Sequence, residues 1–113
     1  MGTYLGQYQE AINYLEAFSS NDKMVGPVAT GAIGNCYMEL GNTETALDYY
    51  KKASNQNKND FTGPMFRLKA GFAAEKLGQN DVALNLYKSI KTDFPGSQES
   101  RNVEKYIARL GEY

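Results

Sequence analysis

The chain has 113 residues, of which 42% are hydrophobic and 22% charged, and its formal net charge is −1. This mixture is typical of one globular domain, and a charge so close to zero gives no general attraction to nucleic acid or to anionic lipid. Histidine is absent and Cys36 is the only cysteine, so we expect no enzyme activity, no cofactor and no metal site. No apolar stretch approaches the roughly 20 residues of a membrane-spanning helix, so we expect no direct membrane insertion by this segment.

Apolar side chains recur three and four residues apart along most of the chain, which predicts amphipathic helices. Helix starts are marked by Gly26-Pro27 and Gly63-Pro64, because a proline in the first helical turn loses no hydrogen bond. Short connections between helices make consecutive helices antiparallel. We predict about six helices, at 8–20, 27–40, 43–56, 62–77, 80–93 and 97–110.

Glycines separate several of these helices. Gly41 and Gly78 stand where a helix ends, which suits a left-handed C-terminal cap, and Ser97 suits the N-cap of the last helix. Gly34 and Gly71 lie inside helices, where they let the two helices of a hairpin approach closely. Gly31 has no such packing explanation. We interpret it either as leaving room for the backbone of a ligand or as simple sequence drift.

The chain repeats itself. The stretch YMELGNTETALDYY at 37–50 matches AEKLGQNDVALNLY at 74–87 in its Leu-Gly, Ala-Leu and final Tyr, and a partial copy lies at 5–15. A period near 35 residues of helix–turn–helix indicates units that must stack, because two helices alone cannot cover their own apolar face.

These repeats resemble the tetratricopeptide-repeat family, whose pattern is W-x2-L-G-x2-Y, then A-x3-F, then P. The matching residues are Ile33, Gly34, Tyr37, Ala46 and Tyr50 in one copy and Ala70, Gly71, Ala74, Ala83, Tyr87 and Pro95 in the next. The resemblance implies an all-α, right-handed superhelix of antiparallel helix hairpins. It divides the single domain 1–113 into a partial repeat 1–25, repeats 27–60 and 64–97, and a capping helix 98–113. Thr30 and Arg67 stand in the Trp position, which leaves the local packing open.

Two segments, YKSIKTDFPGS at 87–97 and EKYIARL at 104–110, are similar to envelope-associated repeat proteins of Gram-negative bacteria. This narrower resemblance implies a bacterial cell-envelope assembly, with the full-length protein membrane-anchored or periplasmic. The first repeat keeps only its second helix, which should expose Tyr8, Ile12 and Leu15. We therefore expect either a longer protein or a homodimer through this open N-terminal end.

Stacked hairpins form a concave face that is lined by the first helix of each repeat. On these helices, the candidates for a peptide groove are Asn35, Met38, Glu39, Met65, Leu68, Phe72 and Glu75. Flexible Met side chains suit peptide recognition, and Asn can hydrogen-bond a peptide backbone. The resemblance thus implies a non-catalytic scaffold that binds a protein or peptide partner. The alternative is an architectural or oligomerisation segment of a longer protein with no free peptide groove, because its own chain or a second copy fills it. Separately, Met65 and Phe72 are open to packing under a neighbouring helix.

Other residues have plainer interpretations. Cys36 lies on an apolar stripe and suits the core, and Arg67, Lys69 and Lys76 suit a solvated helix face. The family's clamp for a peptide carboxylate is disfavoured, because Gly31 stands where the clamp has Lys.

Overall fold

The computed structural model of the chain describes residues 2–17, 25–56 and 59–111, and all regular structure within them is helical. Each of the first five helices packs against the next one in the chain. The result is an all-α stack of helix hairpins, as the apolar spacing predicted. The helices are α1 Gly2–Glu16, α2 Val25–Glu39, α3 Thr43–Gln56, α4 Thr62–Lys76, α5 Asn80–Asp93, α6 Gln98–Asn102 and α7 Glu104–Arg109.

Two of the six predicted helices differ from the structure. The first begins at Gly2 rather than at residue 8, because no strong helix breaker precedes Tyr8 and an added Cβ at Gly6 would meet nothing within 4 Å. The last is divided at Val103 into α6 and α7. The predicted end of the first helix, residues 18–20, lies outside the described residues.

The prediction that Ile12 is exposed is wrong. Its side chain is 1% exposed, because α1 lays this side against α2. Tyr8 and Leu15 are half-buried rather than exposed. The apolar stripe of α1 is therefore largely covered by α2.

The glycine caps are confirmed. Gly41 and Gly78 have φ of 82° and 77°, in the left-handed region where a Cβ is unfavourable. The amides that follow bond back to the helix in the same way, from Asn42 N to Tyr37 O and from Gln79 N to Ala74 O, both at 2.9 Å. Ser97 caps α6, with its Oγ accepting from the Ser100 amide at 3.0 Å.

Aromatic rings pack directly on helix glycines. As predicted, Gly34 and Gly71 allow close packing, since added Cβ atoms would overlap the rings of Tyr50 and Tyr87. Both interpretations of Gly31 are wrong, because the ring of Phe66 lies where its Cβ would stand. Gly31 is on α2 and Phe66 on α4, so this contact joins the first helices of two successive hairpins.

Arg67 is buried, so its assignment to a solvated face is wrong. Its side chain donates to Asp93 Oδ2, to Asn55 Oδ1 at 2.8 Å and to Ser89 Oγ at 3.3 Å, and it lies 5.0 Å from the Phe94 ring centroid. A guanidinium can be buried in this way because its donors are satisfied in several directions. Arg67 thus fills the repeat's Trp position and ties α4 to both α3 and α5.

Candidate protein-binding face

Exposed side chains recur at equivalent positions of α2 and α4. Val28 and Met65 are 37 residues apart in the sequence and are 51% and 36% exposed. Asn35 and Phe72 are also 37 apart, and both are exposed, with Phe72 at 40%. The contact between Gly31 and Phe66 sets α2 and α4 side by side, so these positions belong to one surface. We call this surface, which comprises Val28, Asn35, Met65 and Phe72, the α2–α4 face.

A polar cluster lies at the centre of this face. Asn35 Oδ1 accepts hydrogen bonds from the Tyr50 hydroxyl and from Lys69 Nζ, the latter at 3.3 Å. Lys69 Nζ also lies 5.9 Å from the Tyr50 ring centroid, within the range of a cation–π contact. Burial, with smaller effects from Cys36 and Glu39, raises the pKa of Tyr50 to about 12. The hydroxyl therefore stays a donor at neutral pH and holds the Asn35 carbonyl in place.

An aromatic cluster lies near the C-terminal end of α4. The Phe72 ring meets Tyr87 and Tyr106 edge to face, at centroid distances of 6.1 and 5.1 Å. Glu75 accepts from the Tyr87 hydroxyl and from Arg109 Nη2. Burial and the Glu75 carboxylate raise the pKa of Tyr87. Through these side chains α7, which packs on α5 and α6, reaches α4 and borders the face; we call this border the α7 wall.

The α7 wall was not predicted from the sequence. The signal that could have found it is the repeat spacing, since Tyr106 and Arg109 lie 37 residues after Lys69 and Phe72. No residue of the last helices matches the repeat motif, so the sequence alone indicates only a capping helix at 98–113. Extending the repeat by one further copy would have placed Tyr106 and Arg109 at positions equivalent to Lys69 and Phe72.

The seven predicted groove residues divide into two groups. Glu39 is exposed like Asn35, Met65 and Phe72, whereas Met38, Leu68 and Glu75 are half-buried. Met38 and Leu68 pack against the hydrophobic core, and Glu75 is held by Tyr87 and Arg109. A ligand on this face could therefore touch the first group freely, while the second group also stabilises the fold.

The ranges 2–17, 25–56 and 59–111 offer little that suits catalytic or metal chemistry. No group of three or more His, Cys, Asp or Glu side chains there could hold a metal ion. Cys36 is half-buried rather than part of the core, and burial, followed by Glu39, raises the pKa of its thiol. The reactive thiolate is therefore disfavoured at neutral pH. No helix in these ranges has the length and apolar character needed to cross a membrane.

A cleft of about 470 Å³ lies on a different surface, between α3 and α5, with Arg67 among its lining residues. Each nitrogen of this guanidinium already donates to a protein oxygen, on Ser54, Asn55, Ser89 or Asp93. Arg67 is therefore committed to holding three helices together.

Stacked helix hairpins with close Gly–aromatic packing define a helical-repeat protein. Two family models, both described as tetratricopeptide repeat, match residues 31–60 and 67–97, together more than half of the chain. The chain belongs to the tetratricopeptide-repeat family. Searches among curated proteins and among solved structures each found no match. Repeats of this family generally mediate protein–protein interaction and generally serve as non-catalytic scaffolds.

Proposed function

We propose that this chain is a non-catalytic interaction module that binds a peptide or a partner helix on the α2–α4 face. The observation that carries the proposal is the repetition of exposed residues, Val28 with Met65 and Asn35 with Phe72, at equivalent positions of successive hairpins. A single exposed apolar residue needs no explanation, but a contiguous apolar surface on a small protein often marks an interaction site.

The chemistry of the face suits a polypeptide. Met65 can adapt its shape to a bound side chain, and Phe72 offers a ring that its neighbours already hold in position. Between them, the Asn35 amide can donate to a peptide carbonyl while its own oxygen is held by Tyr50. Apolar anchors around a fixed polar group are typical of sites that bind an extended peptide or an amphipathic helix.

Replacing the two equivalent apolar residues tests the proposal. The Val28→Ser/Met65→Ser variant should lose the proteins that the wild-type chain captures from native cell extract, measured by quantitative mass spectrometry. Its unfolding midpoint should change little, because both side chains are largely or partly exposed. The matched control is Asp48→Ser/Lys52→Ser, which removes two exposed side chains from α3. An unchanged set of partners in the double variant would reject the α2–α4 face as the binding site.

The wider architecture belongs to the same proposal. We infer that the hairpins stack as a right-handed superhelix with repeats at 27–60 and 64–97 and a cap at 98–113. In this arrangement the α2–α4 face would be concave. Small-angle scattering of the purified chain tests the curvature, and a profile that fits a straight stack would contradict it.

We also infer a setting in a bacterial cell-envelope assembly, on the resemblance of segments 87–97 and 104–110. Fractionation of cells that express the full-length protein tests this, and recovery only from the cytosolic fraction would contradict it.

The N-terminal end supports a homodimer as a second proposal. In the described residues α1 packs on α2 and accepts one hydrogen bond from α3, from the Tyr49 hydroxyl to Glu16, while Tyr14 on α1 is 68% exposed. A second copy could cover this side of α1. Sedimentation equilibrium tests the idea, and a monomer at all concentrations would reject it.

A further inference from the structure

We propose that the partner segment bound by this face is acidic and carries an apolar residue that packs on Phe72. The inference rests on the proposed function, because it names the chemistry of the polypeptide that the α2–α4 face takes. It follows from the charges around the one large apolar side chain exposed at the α7 end of the face.

Four cations lie on α4 and α7 near the aromatic cluster that contains Phe72. Lys69 and Lys76 precede and follow Phe72 by three and four residues on α4, and this spacing places all three on one side of the helix. Lys105 and Arg109 reach the cluster from α7, since Lys105 Nζ and Arg109 Cζ both lie 5.2 Å from the centroid of Tyr106, whose ring contacts Phe72. We call Lys69, Lys76, Lys105 and Arg109 the basic patch.

Most of this charge is uncompensated. Arg109 is paired with Glu75. Within the described stretches, Lys69, Lys76 and Lys105 form no ion pair with a carboxylate. A chain with a net charge of −1 thus concentrates unpaired positive charge around an exposed ring. Complementary charge on a partner would speed association and select the orientation in which it binds.

A polypeptide fits the patch better than a nucleic acid does. Single-stranded nucleic acid needs several exposed rings on which successive bases stack. Here the Tyr106 ring is covered by Lys105 and Arg109 and packs against Tyr87, at a centroid distance of 5.7 Å. Phe72 alone of this cluster is exposed enough to receive a partner group. A partner segment with one apolar residue flanked by carboxylates would pack on the Phe72 ring and pair with the cations.

Selection from a displayed library of random peptides tests the inference with the whole chain as bait. Enriched peptides should contain an apolar residue flanked by Asp or Glu. They should bind the Lys69→Gln/Lys105→Gln variant about tenfold more weakly, the effect of losing two partly exposed charge pairs. Lys69→Gln removes the charge and leaves an amide donor on a side chain one atom shorter, while Asn35 keeps its hydrogen bond from Tyr50. The control variant Lys51→Gln/Lys52→Gln removes two exposed charges from α3 and should bind as the wild type does.

The other outcomes separate the two proposals. Enriched peptides that need Val28 and Met65 but are neutral or basic would overturn the acidic partner and leave the binding face standing. If the wild-type chain enriched no peptides beyond those that the Val28→Ser/Met65→Ser variant enriches, the binding face itself would be overturned, and the acidic partner with it. Tight binding of a single-stranded oligothymidine that displaces the selected peptides would assign the patch to nucleic acid instead.

Discussion

Gly31, Gly63 and Gly71 show how single residues determine the packing of this stack. A Cβ at each of these positions would overlap a ring from outside its own helix, on Phe66, Phe94 or Tyr87 respectively. All three rings are buried, so none can swing out into solvent without losing its apolar contacts. Glycine at these sites is therefore required by the space that a neighbouring ring occupies.

Gly31→Ala should destabilise the chain although alanine is the better helix former. Overlap with the buried Phe66 ring should cost about 1–3 kcal/mol, the range for overpacking a core, against a gain of about 1 kcal/mol in helix propensity. The control is Gly6→Ala, because an added Cβ there meets nothing within 4 Å and only the propensity gain remains. Urea unfolding measures both, and equal stabilisation by the two changes would contradict the packing argument.

The buried tyrosines should make the protein sensitive to alkali. The pKa of Tyr50 is raised to about 12 and that of Tyr87 is also raised, whereas tyrosine in the unfolded chain titrates near pH 10. The folded state therefore keeps protons that the unfolded state has lost, so the stabilisation is complete below about pH 10 and decreases from there toward about pH 12.

Urea midpoints measured from pH 8 upward test this dependence, with tyrosinate absorbance as the second reading. Tyr50→Phe is the control, because it removes one of the hydroxyls whose pKa is raised and should make the decline shallower. A flat midpoint across this range would contradict the raised pKa values.

At the scale of elements, the sequence predicted most helices well because their ends carry distinct chemistry. The predicted bounds 43–56 and 80–93 agree with α3 and α5, which follow the turns at Gly41 and Gly78. The start of α1 was missed because no Pro, Gly pair or cap marks it. The break at Val103 was missed because periodicity continues across it, through Val103 and Ile107, both of which are buried.

The α2–α4 face was predicted only in part for a related reason. Spacing along α2 and α4 identifies Asn35, Met65 and Phe72 as outward-facing, which is a property of one helix. The partners of Gly31 and Arg67 lie on other helices, and single-helix periodicity carries no information about them. Arginine is a residue type usually found at the surface, and Arg67 can be buried because Asn55, Ser89 and Asp93 all accept its hydrogen bonds.

The left-handed caps should be the least replaceable turn residues. Gly78→Ala places a Cβ at φ 77° and should cost about 1–2 kcal/mol, with Gly41→Ala behaving alike. Gly96→Ala is the matched control, because Gly96 lies in a turn without positive φ and an added Cβ meets nothing within 4 Å. Thermal unfolding of the three variants measures the difference, and equal losses at Gly78 and Gly96 would contradict a conformational cause.

At the scale of the whole molecule, stability should decrease from the middle of the stack toward the N-terminal end. Within the described residues α1 has α2 as its one packing neighbour, whereas α4 packs against α2, α3, α5 and α6. In repeat proteins, stability is close to a sum of terms between adjacent units, so a helix with one neighbour opens most easily.

Native-state hydrogen exchange measures this gradient directly. The amides of α1 should exchange first and those of α4 last, at protection close to that of global unfolding. Ile12→Ala should accelerate exchange in α1 far more than in α4, because Ile12 lies on α1 and its buried side chain stabilises the N-terminal end of the stack. Uniform protection from α1 to α5 would show instead that the chain unfolds as one cooperative body.

The contact between Gly31 and Phe66 has a mechanical consequence. Because the ring from α4 occupies the space beside the α2 backbone, the two helices cannot slide along each other without expelling a buried side chain. The distance between Asn35 and Phe72 is thereby set before any partner arrives. If the face binds a partner as proposed, little backbone freedom would be lost on association, and shape adjustment would be left to side chains such as Met65.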